Sequence, residues 1–180
     1  QGFYAHFSIA VGEKRRPFGV IGIETWTRDS RTSSKPTQMQ RYTNPAKESL
    51  RWMRAVNAAE RAIGPGRRLI HVMDREADDY DILCELATTE CGFVVRSSFD
   101  RRLVADGARL KSFVCELEVR CEREAKLSNR RKSRPAKQRK LYPPRDSRTA
   151  TLAFAAESVT LRRPDKCQAA EAELTLNVVH

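Results

Sequence analysis

Leu69-Ile70-His71-Val72-Met73-Asp74-Arg75-Glu76-Ala77-Asp78-Asp79-Tyr80-Asp81 is the stretch whose reading decides the fold. Leu69, Ile70, Val72 and Met73 form a short apolar run after the breaker Gly64-Pro65-Gly66, and such a run predicts a strand. The run stops at Asp74 and turns directly into a predicted helix, because Ala77, Tyr80, Leu83, Cys84 and Ala87 recur at the spacing of one helix face. Glu76, Asp78, Asp79 and Asp81 crowd the first turns, where acids complement the positive end of a helix dipole. Asp74 stands apart from them at the carboxyl end of an inner strand, which is where ligands collect in open α/β sheets.

Working outward, Phe3, Ala5, Phe7, Ile9 and Val11 alternate with Tyr4, His6 and Ser8, and Phe18 to Thr27 resumes the pattern after a Gly12 to Pro17 turn. That predicts an antiparallel hairpin. Arg28 to Thr43 reads as a loop, and Asn44-Pro45 as a helix start with Asn44 as N-cap. Trp52, Val56, Ala59 and Ile63 give that helix its buried stripe, and Gly64 ends it. Cys91-Gly92 closes the next helix, and Phe93 to Ser98 is a strand, parallel to the first because a helix connects them. From residue 113 the pattern changes. Phe113, Cys115, Leu117, Val119 and Cys121 alternate with Glu116, Glu118, Arg120 and Glu122, predicting a strand with one wet face. Asn129 to Arg148 reads as a proline-containing basic loop, and Thr149 to Ala156, Ser158 to Leu161 and Glu173 to Val179 as short strands.

Composition narrows the functional classes. At 180 residues, 40% hydrophobic and 32% charged, the chain suits a soluble globular protein, either one domain with a core or one domain plus a small lobe. No apolar run approaches the ~20 residues a membrane span needs, and no secretory signal is present at Gln1 to His6. The opening on Gln1, at once with strand-like sequence, suggests a fragment or processed piece. Five cysteines without a CxxC pair argue for reduced thiols in a cytoplasmic setting, and against a zinc or disulfide framework. The net charge of +11 points to a polyanion, nucleic acid ahead of membrane.

One carboxylate before a helix is most simply an N-cap. A cap does not explain the density of acids around Asp74 in an otherwise basic chain. A carboxylate in a polyanion-binding surface is what metal-dependent phosphoryl transfer requires: Mg²⁺ takes one or two carboxylates and keeps its waters and substrate phosphates, and paired ions stabilise attacking and leaving oxygens. Asp74-Arg75-Glu76-Ala77-Asp78, with Tyr80 and then Phe93-Val94-Val95-Arg96, resembles the signature around the second catalytic aspartate of bacterial DDE-type insertion-sequence transposases, in the group carrying a DREAD motif. Gly2 to His6, the Pro17-Phe18-Gly19-Val20 to Trp26 hairpin, Glu48-Ser49 with Trp52, and the Arg130 to Arg139 loop are also similar to that group, so the likeness spans nearly the whole chain.

The resemblance implies an α/β, RNase H-like mixed sheet over residues 1–100, lacking its first strand, and an antiparallel β-rich insertion lobe over 101–180 with basic loop 129–148. It implies that Asp74 is a catalytic, metal-binding carboxylate for Mg²⁺ or Mn²⁺. The family's first aspartate would precede residue 1 and its glutamate would follow residue 180, so the fragment alone is expected to be inactive. It is also expected to be poorly stable, with two interior strand edges unpaired. The implied partners are double-stranded DNA, as transposon ends and target, and a second copy of the protein, with nucleoid association and no membrane.

Nine Lys and Arg against one acid give the 129–148 loop +8 of the total +11. Arg130, Arg131, Lys132, Arg134, Lys137, Arg139 and Lys140 are therefore candidates for DNA-backbone contact over a solvated loop. Arg96 is a candidate for ordered phosphate contact, or for a salt bridge to an acid of the preceding helix. Arg75 and Glu76 are left open between pairing and DNA contact. Asp78, Asp79 and Asp81 are read as dipole partners, His6 and His71 as core or hydrogen-bonded side chains too isolated for metal, and Trp26 and Trp52 as core. The alternative to an enzyme is a non-catalytic nucleic-acid-binding transposase relic.

Overall fold

The computed structural model describes residues 2–27, 50–130, 143–167 and 169–180. It is mixed α/β, with short helices and small two-stranded sheets. Two compact units divide it: Gln1–Phe99 with Arg163–Ala172, and Asp100–Arg162 with Glu173–His180. The expected loop at Arg28 to Thr43, the Asn44-Pro45 helix start, Glu48-Ser49 and the basic residues Arg131, Lys132, Arg134, Lys137, Arg139 and Lys140 lie outside the described residues.

In the first unit, β1 (Tyr4–Val11) and β2 (Pro17–Trp26) pair antiparallel, Tyr4 facing Trp26 and Phe7 facing Ile23. The turn between them closes through the Gly12 amide on the Arg16 carbonyl at 2.9 Å, with Arg15 left-handed. Helix α1 (Leu50–Ile63) lays Met53 and Val56 into the core. It ends where Gly64, at φ +78°, donates its amide to the Glu60 carbonyl at 2.9 Å, a position that suits a residue without a Cβ.

Strand β3 (Ile70–Met73) and strand β4 (Gly92–Val95) pair in parallel, Ile70 beside Gly92 and Met73 beside Val95. Between them lie a 3₁₀ turn (Arg75–Ala77) and helix α2 (Tyr80–Ala87). Met53, Val56, Met73, Ala77, Ile82 and Leu86 form the buried cluster, with Trp52, Phe93 and Val95 packed on it. Alternation turns Met73 into that cluster and leaves Ile70, Val72 and Val94 on the other face, where Val72 is 76% exposed.

The expectation of a helix running straight on from Asp74 needs correction. The 3₁₀ turn breaks at Asp78, Asp79 is extended and N-caps α2 by accepting from the Asp81 amide at 3.2 Å, and Asp78 does not serve the dipole. Its carboxylate is drawn to the chain after β4, where the Ser98 and Phe99 amides donate to Oδ2 at 2.6 and 2.9 Å. Two backbone donors from a distant segment outweigh the local pattern.

In the second unit, helix α3 (Leu110–Cys115) precedes β5 (Cys121–Leu127), which pairs antiparallel with β6 (Arg148–Phe154). Strand β7 (Ala156–Arg162) pairs antiparallel with β8 (Glu173–Val179). Leu103, Leu110, Ala155, Val159, Leu161 and Leu174 are buried. The strand expected over 113–121 is instead helical at its start. Leu110, Phe113 and Val114 also fit helical spacing, the Asp100 carboxylate accepts from the Lys111 amide at 3.0 Å, and the Leu110 amide donates to the Arg101 carbonyl at 2.8 Å. Residues 100–101 thus satisfy backbone donors of the first turn that a strand would have paired elsewhere. An isolated Arg130–Arg145 bridge lies at the base of the basic loop, beyond the end of the β5–β6 ladder. No helix among the described residues is long and apolar enough to cross a membrane.

Candidate functional site

The parallel register of β3 and β4 sets Met73 beside Val95, so the next residues, Asp74 and Arg96, emerge side by side at the carboxyl end of the sheet. The Arg96 amide donates to the Met73 carbonyl at 3.1 Å and fixes that alignment. Asp74 occupies the N-cap position of the 3₁₀ turn, with φ −79° and ψ 173°, yet its side chain makes no capping hydrogen bond. It lies 3.6 Å from Arg96 Nη1, both side chains largely exposed at 59% and 73%. An exposed pair at that distance is weak, about 0–1 kcal/mol, and its members exchange partners at little cost. Chemically, Asp74 offers a carboxylate to a hard cation, and Arg96 offers a guanidinium to a phosphate. Arg96 thus pairs with Asp74 in this structure, and not with an acid of the helix as the sequence alternative had it.

The neighbours of Asp74 are held by other contacts. Glu76 pairs with Arg51 of α1, whose guanidinium lies 4.7 Å from the Trp26 ring and 5.8 Å from the Trp52 ring. Glu76 thus ties the 3₁₀ turn to α1, a pairing the sequence left open. His6 lies edge-on to Trp52 at 4.4 Å, and burial followed by the nearby Arg51 charge holds its imidazole below the ordinary range. Trp26 stacks on Tyr4 at 5.5 Å. The Tyr80 hydroxyl donates to the Glu171 carbonyl at 3.3 Å, and burial pushes its phenol up to about 12. Burial likewise pushes the Cys84 thiol up to about 11, helped by Glu171.

In the second unit, the Arg130 and Arg145 amides each donate to the other's carbonyl, at 2.8 and 3.2 Å. Arg130 Nη1 donates to the Pro143 carbonyl at 3.4 Å, and Arg145 Nε to the Ser128 carbonyl at 3.3 Å. Of the candidate DNA-contacting cations in the loop, Arg130 is thus placed at its base, and the others fall outside the described residues.

A third group was missed from sequence. Glu60 of α1, His71 of β3 and Cys91 before β4 bring one ligand atom each within 4.8 Å of one another. His71 Nε2 lies 3.2 Å from Glu60 Oε1, and burial, then a hydrogen bond to Glu60, raise the Cys91 thiol above its ordinary value. The three are distant in sequence and match no metal motif. From sequence, His71 is expected to be a core or hydrogen-bonded side chain, and its contact with Glu60 of α1 bears out only the hydrogen bond. All five cysteines are free. The chain matches no known family model and no curated protein.

Proposed function

We propose that this chain is part of a DDE-type DNA transposase, with an RNase H-like core that contributes Asp74 as a metal-binding catalytic carboxylate. The observation that carries this is Asp74 itself: a carboxylate at the carboxyl end of β3 that does not cap its own turn and is exposed beside an arginine. Asp74 would hold Mg²⁺ or Mn²⁺, which would supply charge neutralisation and Lewis-acid activation for cleavage of a phosphodiester. Arg96 leaves Asp74 for a DNA phosphate and helps to hold the scissile strand, and Asp78 keeps the segment after Arg96 in place through the Ser98 and Phe99 amides. The Arg130 and Arg145 ladder and the loop beyond it position the duplex backbone without reading its sequence. Partners on this reading are transposon-end and target DNA and a second copy of the protein. Among the described residues, Ile70, Val72 and Val94 on one face of β3–β4 are exposed, which supports it as well, since parallel strands are ordinarily covered on both sides.

The test is nicking of supercoiled plasmid by a chain extended in both directions along its coding sequence, compared with its Asp74→Ala variant. Mg²⁺-dependent nicking that the variant loses supports the enzyme. DNA binding without metal-dependent cleavage, equal in both proteins, leaves a basic DNA-binding relic.

A further inference from the structure

We propose that Glu60, His71 and Cys91 form a three-ligand site for a thiophilic divalent cation, Zn²⁺ foremost, separate from the Asp74 end of the sheet. Each ligand sits on backbone that its own element fixes. Glu60 is in the last turn of α1, where its carbonyl accepts the Gly64 amide at 2.9 Å. His71 lies inside β3, its imidazole directed to α1 and 12% exposed. Cys91 directly precedes β4, whose first amide, from Gly92, bonds the Leu69 carbonyl at 3.0 Å.

Donor type decides the metal class. A carboxylate oxygen, an imidazole nitrogen and a sulfur suit Zn²⁺, whereas Mg²⁺ takes oxygen alone. Tetrahedral Zn²⁺ bonds of ~2.0–2.3 Å set donor atoms roughly 3.3–3.6 Å apart. The Glu60–His71 pair already stands at 3.2 Å, and the whole trio lies within 4.8 Å, so the sulfur needs to move by only about an ångström. Three protein donors leave a fourth position for water or a partner's side chain. Along β3, His71 lies three residues before Asp74, about 10 Å by strand rise. A cation there joins the end of α1, the middle of β3 and the return into β4, and so braces the sheet that presents Asp74 and Arg96.

The experiment titrates the reduced, chelator-treated 180-residue chain with Co²⁺, which reports coordination by absorbance. One equivalent is expected to give visible bands of tetrahedral cobalt and a near-ultraviolet thiolate-to-cobalt band, both displaced by Zn²⁺. Cys91→Ser is expected to abolish the thiolate band, and His71→Ala to weaken binding at least tenfold. Cys84→Ser and Cys167→Ser are expected to leave the spectrum unchanged. A wild-type titration without a thiolate band, or a band that survives Cys91→Ser, overturns the proposal. Should Cys91→Ser fail to fold by circular dichroism, alkylation of the wild-type chain decides: Zn²⁺ is expected to shield Cys91 from iodoacetamide, and equal labelling with and without Zn²⁺ overturns the site.

Discussion

Asp78 joins the turn after the candidate carboxylate to the segment after the candidate arginine, and replacing it separates two contributions. It is 2% exposed, and its Oδ2 accepts the Ser98 amide at 2.6 Å and the Phe99 amide at 2.9 Å. Asp78→Ala leaves both amides without that acceptor. Hydrogen bonds to a charged group contribute about 1.5–3 kcal/mol each, so the expected loss for the two is about 3–6 kcal/mol, a large share of the ~5–15 kcal/mol that holds a domain. Asp78→Asn can place its one carbonyl oxygen where Oδ2 stood. It keeps both bonds and loses the charge, for an expected loss of about 2–3 kcal/mol. Urea denaturation followed by circular dichroism measures the global effect, and amide hydrogen exchange at Ser98 and Phe99 the local one. Both amides are expected to lose protection in Asp78→Ala and to keep most of it in Asp78→Asn. An alanine variant within ~0.5 kcal/mol of wild type, the range of an ordinary surface substitution, with both amides still protected, refutes the role assigned to Asp78.

Other outcomes follow from the same geometry. Iodoacetamide at neutral pH is expected to label the exposed Cys115 and Cys121 well before Cys84, whose thiol, pushed up to about 11, holds roughly a hundredth of the thiolate of an ordinary cysteine; peptide mass spectrometry reads the order. His6, held low by burial and Arg51, binds fewer protons folded than unfolded, so its contribution is whole above pH 6.5 and is lost as the pH falls through its folded value. His6→Gln is accordingly expected to flatten the acid side of the stability profile, measured as urea midpoints from neutral pH downward. Changing Arg131, Lys132, Arg134 and Lys137 together to Gln is expected to weaken duplex binding and to lower the salt slope by about 0.9 for every DNA phosphate the variant no longer neutralises. Fluorescence anisotropy across a salt series checks this.

Much of the local structure was legible because its causes are local. Alternation in Phe3 to Val11 and the Gly12 to Pro17 turn specify the hairpin, and the 3.6-residue stripe of Trp52, Val56 and Ala59 specifies α1. The apolar run ending at Asp74 specifies β3, and the helix after it specifies a parallel partner. The start of the strand expected over 113–121 was misread because its spacing satisfies two periods at once, and the choice fell to Asp100 and Arg101, whose groups meet the first turn of α3. Asp78 was misread for a similar reason, since its partners lie twenty residues downstream. At the candidate site, the strand-end position of Asp74 follows from sequence, whereas its pairing with Arg96 depends on the β3–β4 register. The Glu60, His71 and Cys91 grouping was hidden because three elements contribute one donor each.

The most direct test of Asp74 as a metal ligand is a change of metal preference. In the extended chain, Asp74→Cys replaces a hard carboxylate with a soft sulfur, which disfavours Mg²⁺ and tolerates Mn²⁺. Plasmid nicking by this variant is expected to vanish in Mg²⁺ and to return in part in Mn²⁺, while Asp74→Ala stays inactive in both. Wild-type nicking by Asp74→Cys in Mg²⁺, or loss in both metals by a folded variant that still binds DNA, would contradict a metal held at Asp74.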